Sequence, residues 1–250
     1  MELKVVTFNI RCTDDPDGHS IPERAPRLKA VLDACDADVI GLQEGTAAWM
    51  AFLQRDYPAY ELYNVWRDTA PDGWKESGPM LWKRDRFDCV DKGRFWLSPT
   101  PDVESGKEWD DRCRCKRICV WAKLRDKKTG ETVLAMNTHF GFGDEGQVNS
   151  AALIAARAAA LGEMPTFITG DFNATPTAPA YAEMTRHFTD MCPGDGPLTF
   201  HAYGKAKTPR RIDYCFAKGG ITPQAVRLLD ETFDGKYPSD HYGMYFELKI

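Results

Sequence analysis

The chain opens with two strand-length apolar runs separated by one helix-length amphipathic segment, and this spacing constrains the fold more than any other feature. Lys4 to Ile10 reads as a strand and Asp38 to Gln43 (DVIGLQ) as a short buried one. Between them Leu28, Val31, Leu32 and Cys35 recur at i, i+3, i+4 and i+7, which predicts a helix over roughly residues 23–35. The alternation continues. Ala48, Phe52 and Leu53 suggest a second helix ended by Pro58, and strands are expected near 60–65, 79–84 and 88–97, before a surface loop over 98–112. Strands at 116–125 and 131–138 flank the turn DKKTG, a hairpin signal. Val148, Ala151, Ala152, Ala155, Ala158 and Ala159 give a helix over 145–162 one small-residue face. The remainder reads as strands at 165–170, 211–217, 224–229 and 242–249 joined by loops. Helices between strands that are partly hairpin-linked imply an α/β fold with mixed sheets.

A length of 250 residues suits a single domain over 1–250. The start MELKVVTFNI has no basic leader or cleavage site, and no later run has membrane-spanning length. Several of the eight cysteines, among them Cys89, Cys119 and Cys215, sit in apolar strand runs where a free thiol acts as a small hydrophobe. Reduced thiols and a cytoplasmic setting are therefore expected. Cys113, Cys115 and Cys119 form no CxxC pair and are not read as a zinc site. The net charge of −5 does not suit a protein held by many nucleic-acid phosphates.

Polar residues fall at the strand ends. VVTF leads to Asn9, DVIGLQ to Glu44, VLAMNT to His139, and TFITG to Asp171 with Asn173 two residues on. Asp213 lies in RIDYCF, and Asp240-His241 leads into the last strand. Singly, each has a plain alternative as a turn, a cap or a core histidine. Together they select for one chemistry. A hard divalent cation takes oxygen ligands, one or two of them carboxylates, which Asn9, Glu44 and Asp240 supply. Asp171 can act as base for an attacking water. Asn173, His139 and protonated His241 can stabilise the negative charge of the transition state, with Asp213 orienting His241 and favouring its charged form.

TFNIR, LQE, NTHF, GDFN, RIDY and SDHY occur in that order, and the chain resembles the endonuclease/exonuclease/phosphatase superfamily, which includes pancreatic deoxyribonuclease, abasic-site endonucleases, sphingomyelinases and inositol polyphosphate phosphatases. The resemblance covers essentially the whole chain. It implies a four-layered α/β sandwich, two mixed β-sheets face to face with helices outside and the active site at one rim. It also implies Asn9 and Glu44 as a metal-binding pair, with Asp240 an acid near the metal. Asp171 and Asn173 match the water-activating and phosphate-orienting pair, His241 with Asp213 the histidine–aspartate pair, and His139 the second catalytic histidine. Glu76 matches a glutamate that orients that histidine in the deoxyribonuclease branch. GRFWLSPTPDV, KRICVWAKLRDKKTG and GDFNATPTAPAY resemble a bacterial branch whose wider group includes enzymes acting on sugar phosphates and polyadenylate-shortening nucleases. After the histidine that branch usually continues Leu-Asp-His, whereas this chain has Phe140-Gly141-Phe142-Gly143.

Arg112, Arg114 and Lys116 read as a solvated basic face. Strand parity puts Arg117 on the buried side, where a guanidinium needs an anion, either an internal carboxylate or a substrate phosphate; the phosphate is the expectation here. Arg67, near Trp66 and Trp74, is a second candidate substrate contact, and Lys205, Lys207, Arg210 and Arg211 are expected to border the rim. The expected enzyme is an Mg²⁺- or Mn²⁺-dependent phosphohydrolase acting on a small phosphorylated metabolite such as a sugar phosphate, with no membrane and no protein partner indicated. A nuclease on the same fold is the first rival, and a non-catalytic binding module the second.

Overall fold

The computed structural model describes all residues except 72, 74, 105, 106, 111, 113 and 114, so Trp74, Cys113 and Arg114 lie outside the described residues. Two six-stranded mixed sheets carry the fold. In the first, β1 (Glu2–Asn9) runs parallel to β2 (Val39–Gln43), with α1 (Ile21–Cys35) as the crossover. This sheet is completed by β3 (Tyr60–Tyr63), β4 (Met80–Lys83), β11 (Thr222–Leu229) and β12 (Gly243–Lys249), in the order β11-β12-β1-β2-β4-β3. In the second, β7 (Thr132–His139) runs parallel to β8 (Thr166–Asp171), with α3 (Asp144–Ala160) as the crossover. Around this pair lie β5 (Phe87–Trp96), β6 (Ile118–Asp126), β9 (Thr189–Asp190) and β10 (Asp213–Lys218), in the order β5-β6-β7-β8-β10-β9. Each sheet thus has one parallel pair at its centre, and Asn9, Glu44, His139 and Asp171 stand at or just beyond the C-terminal ends of those pairs.

Residue parity explains the layers. Val5 and Val39 face the core between the sheets, whereas Val6 and Ile40 pack under α1 and α2 (Ala47–Asp56). Met136 and Ile168 meet α3 and α4 (Pro179–His187) on the outer face of the second sheet. Strands buried on both faces hold apolar residues, or polar ones that find internal partners, which is why the central runs do not alternate. The resulting layers are helix, sheet, sheet and helix. The rest loop did contain one helix: α4 buries only Ala180 and Met184, too few to leave a periodic signal, and Pro179 opens it. Arg211 precedes its strand and does not border the rim. Its guanidinium is buried, 2.6 Å from Asp190, and that carboxylate together with the Cys192 and Gly194 carbonyls offsets its desolvation.

Behind the site a buried polar network joins the sheets. Gln43 Nε2 donates to Asn137 Oδ1 at 2.8 Å, and Thr169 Oγ1 donates to the same oxygen at 3.0 Å. Gly41 makes room for it: a Cβ there would lie 2.1 Å from Thr169 Oγ1 and 2.7 Å from Asn137 Oδ1. Thr169 is β-branched and held by its hydrogen bonds, so it cannot swing aside without losing them. Gly41→Ala should therefore destabilise the protein by about 1–3 kcal/mol, the usual cost of overpacking. An unchanged denaturant midpoint would show the network to be slack. Among the described residues, no helix is long and apolar enough to cross a membrane.

Candidate active site

Strand register assembles the acids. Asp171 stands opposite His139 on β7 and opposite Asp213 on β10, so three titratable groups meet at one end of the second sheet. The first sheet brings Asn9 to the same place: its Nδ2 donates to Asp171 Oδ2 at 3.0 Å and to Glu44 Oε1 at 3.1 Å. Glu44 follows β2 with a left-handed φ of 65°, and Arg11 and Asn173 are also left-handed, at 60° and 49°. Non-glycine residues adopt this region at a cost, and such strain collects where side chains must be aimed. At Glu44 it turns the carboxylate back over the strand end, where Oε2 accepts the Cys12 N–H at 2.8 Å.

Two imidazoles flank Asp171. His139 Nε2 lies 3.5 Å and His241 Nε2 3.8 Å from Asp171 Oδ2. The other nitrogen of His241, Nδ1, lies 2.9 Å from Asp213 Oδ2, a buried hydrogen bond that fixes the ring. Asn173 donates its backbone N–H to Asp171 Oδ1 at 2.9 Å and its Nδ2 to the Phe140 carbonyl at 3.0 Å. Asp240 follows Ser239, whose hydroxyl donates to the Asn9 carbonyl at 2.6 Å and to Asp240 Oδ1 at 3.3 Å.

The same packing separates the charges. Burial, and then the charge of Asp213, lift the Asp171 pKa to about 7, against the opposing charge of His241. Burial alone would lower His241, but the charge and hydrogen bond of Asp213 outweigh it and lift this pKa to about 10. His139 is held well below the ordinary imidazole value by burial first and by the charge of Arg117 second. Glu44 lies below the usual carboxylate range although burial opposes its charge. A protonated His139 would favour that charge, but His139 is kept neutral, so the donors Cys12 and Asn9 are what sustain it. Asp240 is raised by burial and by Glu44. The site therefore has a carboxyl group that titrates near neutrality beside a protonated histidine.

Two groups could hold a cation. Asp171, Asp213 and His241 offer ligand atoms within 4.8 Å of one another. However, the Asp213–His241 contact is a hydrogen bond with a proton between the two atoms, which suits proton handling better than metal binding. Asn9, Glu44 and Asp240 offer hard oxygens, and the charge of Glu44 helps to raise the pKa of Asp240, a repulsion that a divalent ion would relieve.

Other expectations need correction. Arg67 does not stand free for substrate: its Nη1 lies 2.5 Å from Glu76 Oε1, and both side chains are buried. Glu76 in turn is 3.9 Å from His139 Nδ1, beyond hydrogen-bond reach. Arg117 has an internal partner, Asp110, whose Oδ2 lies 3.2 Å from Nε. Lys116 pairs with Asp68 and Glu104 at 2.8 and 2.7 Å and is not simply solvated. Sequence reasoning missed Arg11, whose Nε is 3.0 Å from Asp15 and 3.7 Å from Asp240. The available signal was its place two residues after Asn9 in TFNIR. It also missed Phe200, whose ring packs 5.1 Å from that of His241 and for which no sequence signal stood out.

The sequence matches the Endonuclease/Exonuclease/phosphatase family over residues 6–241. No curated protein sequence matches. Among solved structures, a family protein from Bacteroides thetaiotaomicron is 29% identical with a TM-score of 0.90, over 99% of this chain and 97% of that one. A mannosyl-6-phosphatase from Bacteroides thetaiotaomicron VPI-5482 is 30% identical with a TM-score of 0.90, over 99% and 100% of the two chains. D. rerio TDP2, complexed with a single-strand DNA product, shares the fold at 17% identity and a TM-score of 0.79, over 100% of this chain and 99% of that one. Enzymes of this group are generally divalent-metal dependent. The chain belongs to the endonuclease/exonuclease/phosphatase family and is a hydrolase of phosphoric ester bonds.

Proposed function

We propose that the protein is an Mg²⁺- or Mn²⁺-dependent phosphatase of a small phosphorylated metabolite such as a sugar phosphate. The observation that carries this reading is Asp171, a buried carboxylate with a pKa of about 7, hydrogen-bonded by Asn9 and flanked by His139 and His241. In its ionised form Asp171 takes the proton of the attacking water. His241, kept protonated by Asp213, donates to a phosphate oxygen, and neutral His139 and Asn173 orient that group. Asn9, Glu44 and Asp240 would hold the cation, which when bound would polarise the phosphate and offset its charge.

The similarity to a mannosyl-6-phosphatase along the whole length supports a sugar phosphate. So does the net charge of −5, which disfavours a surface built to neutralise many phosphates. The free thiols of Cys12, Cys35, Cys89, Cys115, Cys119, Cys192 and Cys215 support a reducing, cytoplasmic setting. The test is turnover of sugar phosphates, nucleotides, inositol phosphates and single- and double-stranded nucleic acid with Mn²⁺. A sugar phosphate should be hydrolysed best, with a shallow salt dependence of kcat/KM. Efficient nicking of duplex DNA with a steep salt slope, and no turnover of small esters, would replace this reading with a nuclease.

A further inference from the structure

Two long loops stand on the His139 side of the site. The first, residues 66–77, rises from beside Glu44. Gly45 and Ser77 exchange backbone hydrogen bonds at 3.0 and 2.8 Å, and the next rung joins the Arg67 N–H to the Glu76 carbonyl at 3.0 Å. The second, residues 98–112, leans on the segment after His139. A Cβ on Gly141 would lie 2.8 Å from the Trp109 carbonyl oxygen and one on Gly146 2.3 Å from it, and Asp110 accepts the Phe142 N–H at 3.4 Å. Both loops rest on buried Trp96. Its Nε1 donates to the Arg67 carbonyl at 3.2 Å, and its backbone N–H donates to the Pro101 carbonyl at 2.9 Å.

Further out, charge joins them. Lys116 Nζ lies 2.8 Å from Asp68 Oδ1 in the first loop and 2.7 Å from Glu104 Oε1 in the second. Thr69 adds to the bridge, donating its N–H to Glu104 Oε1 at 2.9 Å and its hydroxyl to Oε2. The turn that carries Asp68 and Thr69 is itself braced, because Lys75 Nζ donates to the carbonyls of Ala70 at 2.5 Å and Asp68 at 3.3 Å. Surface ion pairs usually contribute little, since solvent screens them. Here the side chains of Lys116, Asp68 and Glu104 are only 18%, 19% and 22% exposed, and one ammonium serves two carboxylates. Without that ammonium, two like charges are left facing each other across the loops.

We propose that Lys116 is a positioning residue that clamps the two loops into one fixed wall, and that this wall confines the site to phosphate esters of small alcohols by excluding bulkier leaving groups. The loops rise beside Glu44 and pack on Gly141 and Phe142, so the wall runs past His139 along one edge of the site. Lys116 acts through the loops and not on the phosphate. The inference rests on the proposed phosphatase reading and goes further by tying the size of the substrate to one ion-pair clamp.

The test takes the hexose 6-phosphate that wild type hydrolyses best and compares it with the same phosphate on the terminal sugar of a linear trisaccharide. The two esters share the reacting group and the charge and differ in bulk. Wild type should favour the small ester. Lys116→Met should raise kcat/KM for the trisaccharide ester about 10-fold relative to the small one, the worth of a hydrogen bond to a charged group. The change should lie in KM, with kcat for the small ester unaltered. Lys116→Arg, which can still span both carboxylates, should keep the wild-type ratio. A lysine needed only for folding would instead lower both esters together. Trypsin gives a readout free of turnover: cleavage after exposed Lys107 in the second loop should be faster in Lys116→Met than in wild type or Lys116→Arg. An unchanged ratio in Lys116→Met, or a wild type that hydrolyses both esters equally, would overturn the inference and leave the phosphatase reading standing. A wild type that turns over no sugar phosphate would remove both.

Discussion

Asp171→Asn will lower kcat by about 10²- to 10⁴-fold, the usual contribution of a positioned base, while leaving the fold intact. The amide keeps the volume of the carboxylate, and its oxygen can still accept the Asn173 N–H. What it loses is the ability to take a proton. Asp171 titrates at about 7, so the wild-type rate should rise with pH as this group deprotonates, and a bound cation should draw that limb to lower pH. On the alkaline side the rate should fall only as His241 loses its proton, near 10. The variant should lack the acidic limb. His241→Ala should cause a loss of similar size and abolish the alkaline limb. Because both groups act on one transition state, the double variant should be far less impaired than the product of the two losses. A double variant as slow as that product, or an Asp171→Asn enzyme that keeps the acidic limb, would contradict this division of labour.

The strand ends are legible in the sequence because period and burial write them there. Central strands buried on both faces are mostly apolar, so Asn9, Glu44, His139 and Asp171 stand out as polar residues at or just after the ends of such runs. What local pattern cannot show is register across distant strands. Nothing near Asp213 in the chain says that it lies opposite Asp171, and the 2.9 Å contact with His241 joins residues 28 positions apart. The same limit explains the arginines. Parity correctly implies that Arg117 is buried, but its partner Asp110 sits in a loop without periodicity, so the choice between carboxylate and phosphate stays open until the loop is placed. Arg67 reads as a candidate substrate contact for the same reason, since no local pattern pairs it with Glu76 nine residues on. The backbone strain at Arg11 and Glu44 is equally silent in the sequence, because neither is a residue that favours the left-handed region.

Glu44→Gln will weaken Mn²⁺ binding by at least about 10- to 100-fold, the loss that follows even when only a partner of a metal ligand is removed. Gln is isosteric, and its carbonyl can still accept the Cys12 N–H, so the left-handed turn at residue 44 should survive and the melting temperature should change little. The charge is what disappears. In the wild type the charge of Glu44 helps to raise the pKa of Asp240 across a partly desolvated site, and a divalent cation relieves that repulsion. Chelator should therefore abolish wild-type activity, and Mg²⁺ or Mn²⁺ should restore it. The decisive comparison is with Asp213→Asn. If the cation sat among Asp171, Asp213 and His241, this variant would lose Mn²⁺ and Glu44→Gln would not. The hydrogen bond between Asp213 and His241 argues the reverse: Asp213→Asn should bind Mn²⁺ as tightly as the wild type and instead shift the alkaline limb of the rate to lower pH, because His241 loses the charge that holds its proton. Calorimetric titration of the two variants with Mn²⁺, without substrate, separates these outcomes independently of turnover.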